Sequence, residues 1–140
     1  MTPKELGITE EQYGNLERLA DILETVDEGE FDMGCYATPD DEVGLDPTEA
    51  SKAECGTVAC AAGHLVKIIK PLKEEGWEDF VYRTTGFSFG TLNWTWLFHG
   101  FWCPTDNTAL GASKRIRYFL EKGRPKGVYA QMYGDTPLCY

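Results

Sequence analysis

The stretch Cys55-Gly56-Thr57-Val58-Ala59-Cys60-Ala61-Ala62-Gly63-His64 sets the tightest constraint on how this chain can fold. Nearly all of its side chains are small, so neighbouring backbones can approach closely, and interiors are packed too densely to waste such a segment at the surface. It also carries two of the five cysteines and one of the two histidines. Thr57 is a good N-cap, and the residues after it predict a helix from Val58 to Ile69, broken by Pro71. Ala59, Ala62, Gly63 and Val66 would give that helix one slim face. Gly63 inside it costs about 1 kcal/mol relative to alanine unless it serves close packing. The stretch therefore reads first as the keystone of the fold and second as a place for chemistry.

Charge divides the chain around this stretch. Residues 1–55 hold 16 acids against Lys4, Arg18 and Lys52, a balance of −13, whereas residues 56–140 carry +3. Phosphate contacts need Lys and Arg, so direct nucleic-acid binding by the N-terminal half is disfavoured. An acidic face meeting a basic partner protein, or an anion site in the C-terminal half, is what this asymmetry allows. The 140 residues suit one domain with one core, and 42% hydrophobic residues are enough to build it. No apolar run approaches the roughly 20 residues of a spanning helix, and Met1-Thr2-Pro3-Lys4-Glu5 lacks a signal-peptide pattern. A cytoplasmic protein with no membrane association and with free thiols is the expectation.

The most secure element is the first long helix. Thr9-Glu10-Glu11-Gln12 is a capping box. Tyr13, Leu16, Leu19, Ala20, Leu23 and Val26 then follow at helical spacing, with Glu17, Arg18, Asp21 and Glu24 opposite and Gly29 ending the pattern. Phe31 to Ala37 predicts a short extended segment, and residues 38–54 an acidic loop broken by two prolines. The carboxylates of that loop lack the alternating ligands and central glycine of an EF-hand. Two short aromatic helices are expected within Trp77–Tyr82 and Phe87–Phe101, divided by Thr84-Thr85-Gly86. A last helix runs from Thr108 to Lys122, with Ala109, Ala112, Ile116, Phe119 and Leu120 inward and Gly123 as its stop. Lys114, Arg115, Arg117 and Lys122 would lie on or near its outer face, extended as a basic patch by Arg124 and Lys126. Residues 1–8 and 124–140 are expected to be flexible or covering segments, the latter an irregular tail. The expectation is a mainly α single domain of four to five helices.

Three constellations offer chemistry. Cys60 and His64 stand four apart, as do His99 and Cys103, and two cysteines with two histidines form a ligand set that zinc accepts. Core packing of the thiols competes with that assignment. Cys55, before Gly56 and Thr57 at a helix start, has the placement of an activated thiol, with His64 or His99 as base and Asp32 or Asp106 as orienter. The third uses backbone: the amides at Gly56 and Thr57 would form an anion nest. Arg115 and Arg117 would then supply charge and Trp94 or Trp96 stacking, enough to hold a nucleotide-like ligand. No phosphate-loop motif or dinucleotide-binding fingerprint accompanies it.

Phe31-Asp32-Met33 followed by Cys55-Gly56-Thr57-x-x-Cys60-x-Ala62-Gly63-His64 resembles a group of small bacteriophage and bacterial proteins, and the similarity extends through Leu97-Phe98 to Ala112, Arg115, Ile116 and Arg117. The position matching His64 is tryptophan in some of that group, which argues against ligation or proton relay there. The resemblance implies a phage or prophage setting and attaches no activity. Together these features lead to a small binding or inhibitory protein that contacts a host protein, as a counter-defence factor would, or captures a small anionic ligand. A structural-zinc module and a cysteine enzyme rank behind it, with no cofactor required by the leading expectation.

Overall fold

A computed structural model describes residues 1–31, 45–52, 60–99 and 108–128. Among these the architecture is mainly α-helical and contains no strand: α1 Pro3–Leu6, α2 Glu10–Leu23, α3 Pro47–Lys52, α4 Trp77–Thr85, α5 Leu92–Phe98 and α6 Ala109–Lys122. Single 3₁₀ turns occupy Glu28–Glu30 and Gly63–Lys67.

α2 begins where its capping box predicts. The Thr9 hydroxyl accepts the Gln12 N–H at 3.1 Å, and Gln12 Oε1 accepts the Thr9 N–H at 3.0 Å. Leu16, Leu19, Ala20 and Leu23 are buried, while Glu17, Arg18, Asp21 and Glu24 face outward. The helix stops at Leu23, short of Gly29, because Thr25 folds back on the Ile22 carbonyl through both its N–H and its hydroxyl. Asp27 then caps the first 3₁₀ turn through the Gly29 N–H.

α6 runs antiparallel to α2 and shares with it the largest helix–helix interface among the described residues. Thr108 caps it by accepting the Gly111 N–H at 2.9 Å, and Gly123 ends it. The expected inward residues Ala109, Ala112, Ile116, Phe119 and Leu120 are all buried. Gly111, Ala112 and Ser113 keep this side of α6 thin, and the Ser113 hydroxyl donates to the Ala20 carbonyl at 2.8 Å. At one end of the pair both Glu28 carboxylate oxygens accept the Ala109 N–H at 3.1 Å, placing negative charge on the positive end of α6. At the other end the Met1 nitrogen donates to the Leu120 and Glu121 carbonyls.

α4 packs on the first half of α2, and its last carbonyls are met by α2 side chains. Asn15, itself buried, donates to Thr84 O at 2.9 Å, and Gln12 donates to Arg83 O at 3.3 Å. Gly86 follows in the left-handed region at φ 86°, and a β-carbon there would lie 2.7 Å from Ile8 Cγ2. Glycine is therefore required twice over at this junction.

Two expectations change, and a third falls to one of its two alternatives. The helix predicted from Val58 to Ile69 is not an α-helix over its described part. Cys60 to Ala62 form a turn, and Gly63–Lys67 a 3₁₀ helix ending at Ile68. β-branched Val66, Ile68 and Ile69 and the approach to Pro71 disfavour a longer α-helix. Its small residues do serve packing, since Ala61 and Ala62 are fully buried. Second, the acidic loop expected over 38–54 contains α3. Asp46 Oδ1 accepts the Glu49 N–H at 2.8 Å and Glu49 Oε1 accepts the Asp46 N–H at 3.4 Å, a capping box with Pro47 in its first turn. Third, residues 1–8 hold α1, where Thr2 and Glu5 form another capping box, and they cover the core with buried Leu6 and Ile8. Phe31 is extended, as expected. The rest of the predicted extended segment lies outside the described residues.

Between Pro71 and α4, Glu75 receives Arg83 on both carboxylate oxygens at 2.8 Å, which holds its carboxyl below the ordinary range. The preceding Glu74 adopts φ 63°, a conformation costly for a side-chain-bearing residue. Replacing Glu74→Gly removes that strain and is expected to raise stability by about 0.5–1 kcal/mol in urea titration. An unchanged or lower midpoint would show that the turn carries no strain.

Candidate functional site

The described part of the central stretch is interior. Cys60 and His64 are 3% and 2% exposed. Cys60 Sγ accepts the Gly63 N–H at 3.4 Å, and the Cys60 carbonyl accepts the His64 N–H at 3.1 Å. His64 Nε2 lies 3.1 Å from the Glu30 carbonyl oxygen, which accepts a proton only from that nitrogen. Its ring stacks on Phe31 at 6.1 Å with planes 11° apart. The imidazole thereby fastens the second 3₁₀ turn to the first, and a neutral ring in this tautomer keeps only Nδ1 as an acceptor or ligand.

The four-ligand arrangement of Cys60, His64, His99 and Cys103 is only partly in view, since Cys103 lies outside the described residues. Among the described residues no group of three or more His, Cys, Asp or Glu side chains is placed to hold a metal ion. His99 stands just after α5, edge-on to Trp94 at 6.1 Å. Burial pushes its pKa below the usual histidine value. Of the thiol constellation, Cys55, Asp32 and Asp106 lie outside the described residues, as do Gly56 and Thr57 of the anion nest.

The anion constellation is visible through its side chains, and the fold separates them. Arg115, expected on the outer face of α6, is 0% exposed. It lies one turn from Ala112 and from Phe119, at the edge of the apolar stripe, and α5 closes over that edge. Trp96 is 1% exposed and donates its indole N–H to the Arg115 carbonyl at 3.1 Å. A buried guanidinium is tolerated only where hydrogen bonds or opposite charge surround it, so Arg115 belongs to the interior framework. Arg117, two residues on, projects from the other side of α6, as helix geometry requires. It donates to Glu24 Oε1 at 2.8 Å and Asp21 Oδ1 at 2.6 Å, and both carboxylates hold it strongly protonated. The two arginines thus flank the helix on different sides, one under α5 and one against α2. They do not converge on one ligand.

Trp94 is buried against Phe89, Phe98 and His99, and its Nε1 finds no hydrogen-bond partner among the described residues. Two open depressions are lined by described residues. One, of about 500 Å³, lies along Thr2, Pro3 and Gly7 to Glu10; the other, of about 270 Å³, lies beside Asn93, Phe119, Lys122 and Arg124. Neither includes Trp94, Trp96, Arg115 or Arg117.

What sequence reasoning missed is at the surface. Phe89 falls within the span of the helix expected over Phe87–Phe101 yet lies before α5, and it and Leu92 are 56% and 39% exposed. The signal was local: Ser88, Gly90 and Thr91 surround Phe89 with turn formers. Glu28 was one acid among many, and only its meeting with Ala109 makes it a cap. No protein-family model matches the chain, and neither a curated protein nor a solved structure matches it.

Two measurements probe this interior. Trp96→Phe removes a buried indole–carbonyl hydrogen bond as well as packing and is expected to cost about 2–3 kcal/mol in urea denaturation; Trp94→Phe removes an N–H with no partner among the described residues and should cost about 1 kcal/mol less. Equal costs would refute the distinction. For His99, burial lowers the folded pKa below the reference value of 6.5. Its contribution to stability is full above 6.5, declines as the pH falls below that value and is gone below the folded pKa. The stability difference between the parent and His99→Gln should therefore shift against the parent on acidification across that window, and a pH-independent difference would contradict it.

Proposed function

We propose that this chain is a small protein that acts by contact: a phage-encoded binding or inhibitory protein that engages a basic host protein in the host cytoplasm, as a counter-defence factor would. The phage setting comes from the resemblance of its Cys-Gly-Thr-x-x-Cys-x-Ala-Gly core and carries no activity with it. One observation bears most of the weight. The side chains best suited to chemistry, His64, Trp96 and Arg115, are interior, whereas Glu17, Asp21, Glu24, Asp27 and Glu28 line the exposed side of α2 and the turn after it.

Carboxylates held on a helix need no rearrangement to meet a cationic surface, and their field speeds encounter more than it deepens affinity. Four of the five already have internal work: Asp21 and Glu24 hold Arg117, Glu28 caps α6, and Asp27 caps the turn that carries Glu28. Glu17 is the one whose exchange leaves those bonds in place.

Affinity capture from host lysate with the parent protein and with Glu17→Lys tests this reading. The parent should retain a basic protein at low ionic strength and release it near 0.5 M salt, where screening acts over about 4 Å. The variant should retain about threefold less while melting at the same temperature. A partner held equally by both forms, or indifferent to salt, would remove α2 from the interaction.

A further inference from the structure

The Gly86–Thr91 loop and the start of α5 carry a second surface of different character. Thr91 closes a turn on the Ser88 carbonyl through its N–H at 3.2 Å and its hydroxyl at 2.8 Å. Gly90 supplies the positive φ of 83° that lets the chain reverse. Phe89 is thereby presented outward at 56% exposure, its inner edge resting on Trp94 with ring centroids 4.5 Å apart. Leu92, one helical turn further, is also exposed. A rigid turn holding an aromatic side chain against a buried tryptophan has already given up the freedom that binding would otherwise remove.

The charge beside this apolar pair is positive. Asn93, adjacent to Leu92, accepts a hydrogen bond from Arg124 Nη1 at 3.0 Å, which draws the guanidinium to the patch. Lys122 shares the neighbouring depression with Asn93 and Arg124, and Lys126 is exposed two residues beyond. Residues 86–99 and 122–128 contain no Asp or Glu at all, in a chain of net charge −10. Glu5 borders the same depression, but it is bound by the Thr2 N–H and hydroxyl.

We propose that the Phe89–Leu92 edge, with Arg124 and Lys122 beside it, is a docking surface for an acidic protein segment carrying an apolar anchor. Phe89 and Leu92 receive the anchor, and the two cations pair with flanking carboxylates. Apolar anchors with charged neighbours are the usual division of labour at protein contacts, the first giving affinity and the second orientation. This surface goes beyond the α2 face, lies on other elements and would accept a partner of opposite charge.

The test uses a short fluorescent peptide of Asp and Glu built around a Phe-x-x-Leu pair, read by anisotropy and by amide chemical shifts of the full chain. Expected is saturable binding that perturbs residues 88–93 and 122–126. It should weaken about tenfold when serine replaces the peptide's apolar pair and disappear when lysine replaces its acids. Phe89→Ser and, separately, Arg124→Glu should each weaken binding about tenfold without lowering the melting temperature, since both side chains are exposed. Should Phe89→Ser destabilise the fold, the Arg124→Glu result decides. Glu17→Lys should leave peptide binding unchanged, which separates this surface from the α2 face.

Four results would overturn the assignment: no binding at millimolar peptide, binding indifferent to peptide charge, perturbation confined to other residues, or either Phe89→Ser or Arg124→Glu binding as the parent does. Tighter attachment to phosphatidylglycerol vesicles than to the peptide, abolished by Phe89→Ser, would replace it with a lipid surface. Concentration-dependent sedimentation abolished by the same variant would replace it with a second copy of the chain.

Discussion

The antiparallel contact of α2 with α6 is the interaction on which the rest of the structure depends. It works because small residues meet: Ala20 on one helix faces the thin side of α6 at Ala112 and Ser113, close enough for the Ser113 hydroxyl to reach the Ala20 carbonyl. A larger residue at either place would force the axes apart and strain the surrounding core. Polar contacts fix the register that the apolar contact alone would leave loose. Glu28 holds the start of α6, and Arg117 reaches across to Asp21 and Glu24 beyond Ser113. The exposed ion pairs add little energy individually, but they penalise a slip of either helix.

From that pair outward the structure is assembled by satisfying helix ends. α4 terminates against α2, where Asn15 and Gln12 take carbonyls that have no partner within their own helix. α3 is tied to α4 through the Trp77 indole, which donates to the Leu45 carbonyl at 2.8 Å. The second 3₁₀ turn is tied to the first through His64. In each case a polar or amphipathic side chain meets a backbone group that needs a partner, and Asn15 and His64 do so from buried positions. This explains why side chains that look catalytic in the sequence act as fasteners in the fold.

The same economy shapes the surface. α2 and α6 turn their apolar stripes to each other and to the core, which leaves the carboxylates of α2 outward. Bases accumulate toward the end of α6 and the residues after it, next to an aromatic turn that protrudes from the core.

Much of the fold was legible because it depended on short-range chemistry. The Thr9 cap, the stripes of α2 and α6 and the stop at Gly123 each follow from residues within a turn or two of one another. The Thr2–Glu5 and Asp46–Glu49 capping boxes were equally present in the sequence, obscured by the short length of their helices and by the proline and acid content around α3. Tertiary structure alone decided which edge of α6 another helix would close, and so which arginine, 115 or 117, kept its exposure. The amphipathic pattern marks the centre of a stripe and leaves its borders open, because a border residue is buried or exposed according to the neighbour that packs there. The same reason governs the opening stretch: its small residues announced close packing, and the contacts of Cys60 and His64 across the fold turned two reactive side chains into structural ones.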